Sequence, residues 1–294
     1  MRSKYTGRQI AVFSDTHGLL EPLVSTLEDI KKRGITEIYS LGDNIGVGPN
    51  SGEVLDLLNK YNVNCINGNS EEYCILGIEP FKVYFGEKKT KNQEWTMSTL
   101  TKKQVESLKK NKHSYDLLVG GKKIGLCHFI NDVRFDYNTN SVWNYQKAIK
   151  ENDPNPQKQF YNANTPEQLE LLKSKSKSKL KEDRGYVSAY NDPVLGGKKV
   201  DYYDEIIQGH AHFKYYTEDK NVKVRSIRAL ALAYEDNPYD LAYYIIIKEK
   251  NNGYDIEEVY VPYDRKKMLK SIDDYDIPDK SVISLYTYKD VENK

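Results

Sequence analysis

The side chains best suited to chemistry in this sequence are histidines and carboxylates that follow short apolar runs. Four of the five histidines lie at or just beyond the end of a predicted strand, as do three side chains with oxygen ligand atoms. These seven residues are Asp15, His17, Asp43, Asn69, His128, His210 and His212. Strand-end loops are where open α/β sheets bind ligands. The grouping therefore indicates one functional site, and it leaves out only His113, which lies near a predicted helix end.

Strands and helices alternate in the first third of the chain. The sequence predicts strands over 10–13, 37–41 and 63–66, with helices over 19–32 and 52–60 between them. This alternation is typical of parallel strands joined by crossover helices. We therefore expect Asp15 with His17, Asp43 and Asn69 at one edge of one sheet, with Asn69 in the loop that follows the third strand.

The later part of the chain predicts a second sheet. A helical pattern covers 95–111, and Gly120-Gly121 marks the turn of a β-hairpin whose second strand ends at His128. Alternation places Cys127 on the opposite face from His128, as a packed thiol. Further strands are predicted over 204–208, 214–217, 222–227, 241–247 and 256–261, followed by a helix over 264–272. The short connections between these strands predict that the second sheet is antiparallel.

Residues 134–200 differ in composition from the rest of the chain, being rich in Asn, Lys, Ser and Tyr. Residues 165–168 form a capping box with proline at the first helical position, which predicts a helix. Residues 173–179 alternate lysine with serine, as a solvated helix end or linker would; the alternative is a basic lip that attracts phosphates. We interpret 134–200 as a partly helical cap inserted into a single domain of residues 1–294.

The seven strand-end residues have the chemistry of a metal centre. Mixed imidazole and oxygen ligands suit Mn, Fe, Co, Ni or Zn, and the ligand set does not choose among them. Seven ligands are too many for one ion, so they predict two divalent ions with one carboxylate bridging. Two such ions can orient a phosphate and share a hydroxide at neutral pH.

The order and spacing of these motifs resemble the calcineurin-like metallophosphoesterase superfamily. The matching motifs are Asp15-x-His17, Gly42-Asp43, Gly68-Asn69, His128 and Gly209-His210-x-His212, and residues 42–49 look like a bacterial branch with a Gly-Asp-x-x-Gly-x-Gly-Pro signature. The resemblance covers residues 10 to about 263, apart from the inserted segment. It implies an α/β (α+β) fold, a four-layer αββα sandwich with a dinuclear site at one edge.

The resemblance also implies roles for the seven residues. Asp15, His17 and His212 would hold one metal, Asn69, His128 and His210 would hold the other, and Asp43 would bridge them. The hydroxide that bridges the metals would then attack phosphorus in line with the leaving group. On this interpretation Asp43, Asn69 and His128 also belong to the catalytic set.

The sequence departs from the family pattern in two places. Ser70 stands where many members have a histidine after Gly-Asn, and serine cannot supply an acidic proton near pH 7. Glu71 follows it as an expected partner of the metal ligands. After the last histidines, Arg225 and Arg228 stand near the place of an Asn-Pro-Gly-Ser stretch. Ser70, Arg225 and Arg228 are the candidate substrate contacts, since guanidinium groups bind phosphate in a planar fork.

Composition limits the classes of function. Charged residues make up 30% of the 294 residues and the formal net charge is +1, which argues against strong electrostatic binding to nucleic acid. Three cysteines without metal or redox spacing, and no membrane-spanning apolar run, favour a cytoplasmic protein. No oligomeric state follows from the sequence.

The function predicted from these features is hydrolysis of phosphodiesters or activated phosphate esters at a dinuclear metal site. The substrate would be a small phosphate ester, a nucleotide or a phosphoprotein. Within this class, a phosphoprotein phosphatase or a dinucleoside-polyphosphate hydrolase is the alternative. From another class, the alternative is a binding scaffold on a decayed phosphoesterase fold.

Overall fold

Two five-stranded sheets, one two-stranded sheet and six α-helices are the main elements of the part of the chain that the structure, a computed structural model, describes. This part comprises residues 7–78, 82, 87–128, 194–195, 198–199, 202–210, 212, 214–219, 222–232, 240–278, 280 and 283. The strands are β1 (Gln9–Phe13), β2 (Glu37–Ser40), β3 (Asn64–Cys65), β4 (Ser114–Val119), β5 (Lys122–Cys127), β6 (Val194–Leu195), β7 (Lys198–Lys199), β8 (Glu205–Gln208), β9 (Tyr215–Asp219), β10 (Val222–Ser226), β11 (Leu241–Lys250) and β12 (Gly253–Pro262). The helices are α1 (Leu20–Lys32), α2 (Ser51–Lys60), α3 (Asn69–Leu76), α4 (Glu87–Thr99), α5 (Lys102–Leu108) and α6 (Arg265–Asp274).

The first sheet has the strand order β12-β11-β1-β2-β3, and β1, β2 and β3 are parallel as predicted. Successive side chains of β1 point to opposite faces of the sheet. Ala11 and Phe13 pack in one apolar cluster with residues of α1, α2 and α6, whereas Ile10 and Val12 pack against the second sheet. The described residues thus supply a helical layer and two sheets packed face to face, which confirms the predicted α/β class.

β11 and β12 belong to the first sheet, so their placement in the second sheet was wrong. β11 pairs antiparallel with both β1 and β12. Its run of apolar residues is buried on both faces: Tyr244 and Ile246 face the helices, and Tyr243, Ile245 and Ile247 face the second sheet. Such a run fits any central strand, and therefore its sequence does not reveal which sheet it joins.

The second sheet has the order β4-β5-β8-β10-β9 and is mixed rather than antiparallel. The β4–β5 and β9–β10 pairs are antiparallel, but β5, β8 and β10 are parallel neighbours. A short connection favours an antiparallel pair only when the strands joined are also neighbours. β8 and β9 are consecutive in the chain, but β10 lies between them in the sheet. The short connection between β8 and β9 therefore does not make an antiparallel pair.

Two helix predictions need correction. The helical pattern over 95–111 is interrupted, because α4 ends at Thr99 and α5 begins after Thr101, whose side chain caps it by accepting from Gln104 N at 3.2 Å. Asn69 is not in a loop but is the first residue of α3. A short polar linker and a helix start look alike in sequence when no capping hydroxyl precedes the helix.

Most of the predicted cap lies outside the described residues, including the capping box at 165–168 and the lysine–serine tract at 173–179. Within 134–200 the structure describes only the two-residue strands β6 and β7, which pair antiparallel. Among the described residues, no helix is both long enough and apolar enough to cross a membrane.

Candidate metal centre

The site is built from the residues that follow five strands, three in the first sheet and two in the second. Backbone hydrogen bonds tie these loops together. Asp15 N donates to Gly42 O at 2.9 Å, and His17 N donates to Asp43 O at 2.8 Å. Within the second sheet, Gly209 N donates to His128 O at 3.0 Å, and between the sheets His210 N donates to Asp15 Oδ2 at 2.9 Å. These links bring all seven predicted ligands to one edge of the sandwich.

The first ligand group consists of Asp15, His17 and His212. His17 Nε2 and His212 Nε2 are 3.1 Å apart. Asp15 Oδ1 lies 3.3 Å from His212 Nε2 and 3.9 Å from His17 Nε2. The other oxygen of Asp15 accepts a hydrogen bond from His210 N at 2.9 Å, so the carboxylate is fixed while Oδ1 is directed at the two rings.

The second group consists of Asp43, His128 and His210, with Asn69 beside them. His128 Nε2 lies 3.0 Å from His210 Nδ1 and 3.1 Å from Asn69 Oδ1. In both groups, the atoms able to bind a metal lie within 4.8 Å of one another.

Asp43 lies between the two groups. Its Oδ2 is 3.6 Å from His17 Nε2 and its Oδ1 is 3.6 Å from His128 Nε2. Each carboxylate oxygen therefore faces a different group, which is the arrangement that a bridging ligand needs. Ser70 N donates to Oδ1 at 2.8 Å and holds the carboxylate in this orientation.

The histidine geometry fits a bound cation. Leu41 O lies 2.8 Å from His128 Nδ1, and because a carbonyl can only accept, this ring nitrogen carries the proton. The lone pair of His128 Nε2 is then directed at the ring of His210 and the amide oxygen of Asn69. Electron pairs converging in a buried space need a positive charge between them, and a hydrogen bond on the far ring nitrogen is typical of metal-binding histidines.

The charges of the site favour ionised carboxylates. Burial raises the pKa of Asp15, but the hydrogen bond and the charge of His212 outweigh it and hold the pKa below its ordinary value. Burial also raises the pKa of Asp43, but the charge of His128 acts in the opposite direction, and the pKa again lies below its ordinary value. Both groups are therefore in the form that binds metals.

The histidines of the site differ in the direction in which their pKa values are shifted. Burial lowers the pKa of His17 to about 4 and that of His210 to about 3, which keeps both rings neutral. Burial also lowers the pKa of His128, but the charges of Asp43 and Asp15 outweigh it and raise the pKa above its ordinary value. The pocket thus stabilises positive charge at its centre, beside His128 Nε2.

Five of the seven ligand candidates have left-handed backbone conformations. They are Asp15 (φ 55°), His17 (φ 49°), Asp43 (φ 50°), His210 (φ 67°) and His212 (φ 64°). This conformation costs an L-residue roughly 1–2 kcal/mol, and such strain concentrates at functional sites. The sequence gives no signal for this conformation.

Glu71 holds the loops that carry the second group. Its side chain is fully buried and accepts hydrogen bonds from three backbone N–H groups, those of Asp43 (2.9 Å), Asn44 (2.7 Å) and Gly68 (2.8 Å). Burial, followed by the charge of Asp43, raises the pKa of Glu71 to about 7. These contacts agree with the expectation that Glu71 is a partner of the metal ligands.

Two glycines allow the loops to approach closely. A Cβ atom on Gly68 would lie 2.4 Å from Asp43 Oδ1, and one on Gly209 would lie 1.8 Å from Ser14 Oγ. Neither position has room for a side chain. The glycines of the Gly-Asn and Gly-His motifs therefore permit the contact between backbone and ligand.

The three predicted substrate contacts lie in different surroundings. Ser70 is buried beside the Asp43 carboxylate, and Arg228 is buried in the segment after β10. Arg225 points elsewhere: its Nε donates to Glu205 Oε1 at 2.6 Å, at the start of β8, and its guanidinium lies over the ring of Tyr216. The contacts of Arg225 among the described residues do not join it to the metal ligands.

The sequence analysis missed a polar face on α4. Asn92 Nδ2 donates to Val47 O at 3.4 Å, and the amide of Gln93 lies against Gly46. The available signal was the spacing of Lys89, Asn92, Gln93 and Thr96 at helical intervals. Three of these four residues are buried although all are polar.

His113 lies outside the cluster. Its Nε2 is 3.7 Å from Glu72 Oε1, and its side chain is 24% exposed. We expect His113→Ala to keep kcat/KM within about twofold of wild type at a temperature where it is folded, and to lower stability, because the buried Glu72 carboxylate loses the imidazole beside it. Kinetics and thermal denaturation of the variant check this; a large loss of turnover at unchanged stability would mean that a fifth histidine belongs to the site.

The chain resembles known proteins in sequence and in structure. In sequence, the chain is 34% identical over 119 residues to the uncharacterized protein MJ0912 of Methanocaldococcus jannaschii. That match covers 40% of this chain and 48% of the archaeal protein, so the chain spans about half the length of this relative.

Solved structures share the fold over nearly the whole chain. The hypothetical protein PH1004 of Pyrococcus horikoshii OT3 matches with a TM-score of 0.61 at 16% identity, covering 95% of this chain and 98% of that one. A metallophosphoesterase from Sphaerobacter thermophilus matches with a TM-score of 0.56 at 16% identity, with the same coverage. The model of the calcineurin-like phosphoesterase family matches residues 8–214, a span that contains all seven clustered ligand candidates. The chain therefore belongs to the calcineurin-like phosphoesterase family.

Proposed function

We propose that this protein hydrolyses phosphate esters at a dinuclear metal centre, acting on phosphodiesters or on esters with a good leaving group. One observation carries the proposal: each oxygen of the Asp43 carboxylate faces one of the two ligand groups, at 3.6 Å from His17 Nε2 and 3.6 Å from His128 Nε2. Asp15, His17 and His212 would hold one ion, and Asn69, His128 and His210 the other. Residues 134–200 would be an insertion in this single domain.

The metals would supply the chemistry that no side chain here provides, a water acidic enough to attack phosphorus and positive charge for the phosphate oxygens. The residues of the chain orient the candidate ligands and hold them in place. Leu41 O fixes the tautomer of His128, and His210 N fixes the Asp15 carboxylate. Glu71 holds the backbone of Asp43 and of Gly68, which precedes Asn69. A site held this rigidly needs little reorganisation during reaction.

Turnover tests the proposal directly. Purified protein should be supplied separately with Mn, Ni, Zn and Fe and assayed on aryl and alkyl phosphate mono- and diesters, a phosphopeptide and a dinucleoside polyphosphate. The result expected is metal-dependent cleavage, with two metals per chain by elemental analysis. A chain that holds no metal and cleaves none of these esters would instead fit a binding scaffold.

Ser70 makes a separate prediction about the leaving group. Because a serine hydroxyl does not protonate a departing oxygen near pH 7, log kcat/KM should fall steeply as the pKa of the leaving phenol rises. The measurement is a series of substituted phenyl esters with wild type and Ser70→Ala, which should have the same slope. The prediction fails if wild type has a flat dependence that becomes steep in Ser70→Ala, because a donor would then already be present at residue 70.

A further inference from the structure

α4 buries polar side chains on the face that contacts the loop after β2. Asn92, Gln93 and Thr96 follow one another at helical spacing, and each is no more than 2% exposed. Asn92 Nδ2 donates to Val47 O at 3.4 Å, in the loop that also carries Asp43. A helix normally buries its apolar stripe. The buried polar face therefore indicates a role beyond packing.

Gln93 approaches Ser70 at Gly46, which has no side chain to separate them. A Cβ atom placed on Gly46 would lie 3.2 Å from Gln93 Nε2, 3.5 Å from Gln93 Oε1 and 3.3 Å from Ser70 Oγ. Ser70 N in turn donates to Asp43 Oδ1 at 2.8 Å. Gln93, Ser70 and Asp43 are each 2% exposed. The contacts from Gln93 to the Asp43 carboxylate thus pass through Ser70, and all three side chains are equally withdrawn from solvent.

The carboxamide oxygen of Gln93 has an unused hydrogen-bonding position. Gln93 Oε1 is buried and accepts no hydrogen bond from the residues that the structure describes. Asn92 Oδ1 and Thr96 Oγ1 share this property, but the contact at Gly46 places Gln93 beside Ser70. Buried polar atoms are nearly always paired with protein, water or ligand, and one left unpaired lowers stability. A methionine would fill a similar volume without that loss, so packing does not explain the amide.

The chemistry of this position limits what can pair with it. The unpaired atom of Gln93 is an acceptor, and the oxygens of a phosphodiester carry no proton to donate. Ser70 Oγ and Gln93 Nε2 lie at the same gap and are donors, so a protonated amine would leave them unpaired. A hydroxyl group both donates and accepts. One hydroxyl can therefore donate to Gln93 Oε1 and accept from Ser70 Oγ, and like both side chains it is neutral.

We propose that Gln93 is a specificity-determining residue that, with Ser70, binds a hydroxyl group on the organic portion of the substrate, on the Asp43 side of the metal centre. A site built to hydrogen-bond a hydroxyl rejects an analogue that lacks it, because its own polar groups then stay unpaired. The preferred substrates are phosphate esters whose alcohol or sugar portion keeps a free hydroxyl. The inference rests on the proposed function, since it names a substrate class for that site.

Two non-hydrolysable phosphonates test this without turnover. Dihydroxybutylphosphonate, the carbon analogue of glycerol phosphate, and butylphosphonate share charge and chain length and differ only in their hydroxyl groups. Binding of each to the Mn²⁺-loaded protein should be measured by calorimetry for wild type, Gln93→Met and the control Glu94→Met. Glu94 is the next residue of α4, and its side chain is 46% exposed and pairs with Lys82.

The expected result is a hydroxyl preference that depends on Gln93. Wild type and Glu94→Met should bind the dihydroxy compound about tenfold more tightly than butylphosphonate, whereas Gln93→Met should bind the two within about twofold of each other. Gln93→Met should keep the affinity of wild type for butylphosphonate within about threefold, because this compound has no hydroxyl to lose. Metal-free Gln93→Met should unfold at the same or a higher urea concentration than wild type, since an unpaired buried acceptor is removed.

The outcomes separate a ligand contact from a structural role. Loss of the hydroxyl preference in Gln93→Met, at undiminished stability, supports the inference. It is overturned if wild type binds the two phosphonates equally, or if Gln93→Met keeps the preference, because water would then satisfy the amide. Loss of the preference together with unfolding at a lower urea concentration also overturns it, since the amide would then hold the fold.

Ester hydrolysis by the same proteins separates this inference from the proposed function. If wild type discriminates between the phosphonates through Gln93 but cleaves no ester, the inference stands and the proposed function fails. If wild type cleaves esters and Gln93→Met keeps the hydroxyl preference, the function stands and the inference fails.

Discussion

Asp43→Asn should abolish turnover and lower metal content while leaving the metal-free fold intact. The amide keeps an oxygen that can accept the hydrogen bond from Ser70 N, now 2.8 Å from Oδ1. It loses the negative charge that faces both histidine groups. Disturbing even the outer partners of metal ligands weakens affinity about 10–100-fold, so we expect at least that loss for the bridging carboxylate and turnover below about one-hundredth of wild type.

The metal-free stability of this variant distinguishes a ligand from a structural residue. The charge of Asp43 is buried and contributes to the raised pKa of the adjacent Glu71. Removing it relieves this repulsion but also removes the attraction to His128, which together with its neighbours holds the pKa of Asp43 below its ordinary value, so the metal-free variant should remain folded and melt slightly below metal-free wild type. Elemental analysis, kcat and thermal denaturation are the measurements.

A matched control separates site chemistry from a general effect of charge. Asp255 lies on the edge strand β12, and its exposed carboxylate pairs with Lys250 at the end of β11. Asp255→Asn removes this carboxylate. It should keep the metal content and turnover of wild type. Two metals per chain and near-normal turnover in Asp43→Asn would show that this carboxylate does not bridge.

Glu71→Ala should cause the largest loss of stability among the variants considered. It would leave the N–H groups of Asp43, Asn44 and Gly68 buried without their acceptor. Each buried group left unpaired costs about 1–3 kcal/mol. Partial relaxation and entry of water reduce the sum, so we expect a loss of about 3–5 kcal/mol in the free energy of unfolding, measured by urea denaturation.

Two further variants serve as comparisons for the loss of stability in Glu71→Ala. Glu71→Gln keeps one acceptor oxygen but sets an N–H group against a backbone N–H, so its loss should be intermediate. Glu94→Ala removes an exposed glutamate of α4 that pairs with Lys82, and it should cost less than about 1 kcal/mol. The prediction is wrong if Glu71→Ala and Glu94→Ala unfold at the same urea concentration.

Turnover should fall with stability in the Glu71 series. The Glu71 carboxylate connects the loop that carries Asp43 to the glycine that precedes Asn69. When that link is lost, both ligands gain freedom, and a small displacement at a catalytic centre can cost about 100-fold in rate. Glu71→Gln should therefore keep more activity than Glu71→Ala at a temperature where both are folded.

The local pattern of the sequence determined which residues lie at strand ends. An apolar run followed by a polar residue and then a helical pattern marks the carboxyl end of a parallel strand, and this correctly located Asp15 and Asp43, whereas the hairpin prediction located His128. It also gave the parallel order of β1, β2 and β3, because crossover helices leave little choice of neighbour. The hairpin at Gly120-Gly121 was also predicted from local sequence, because glycine readily adopts the positive φ that both residues have.

The tertiary structure decided everything that depends on partners distant in sequence. The apolar run of β11 would fit the centre of either sheet, and only packing places it between β1 and β12. The direction in which Arg225 points depends on Glu205, on a neighbouring strand. The polar face of α4 acquires meaning only because Gly46 and Ser70 lie against it. In each case the local sequence indicates which residues share a face of a strand or helix. Which neighbours that face meets depends on burial and charge contributed by segments distant in sequence.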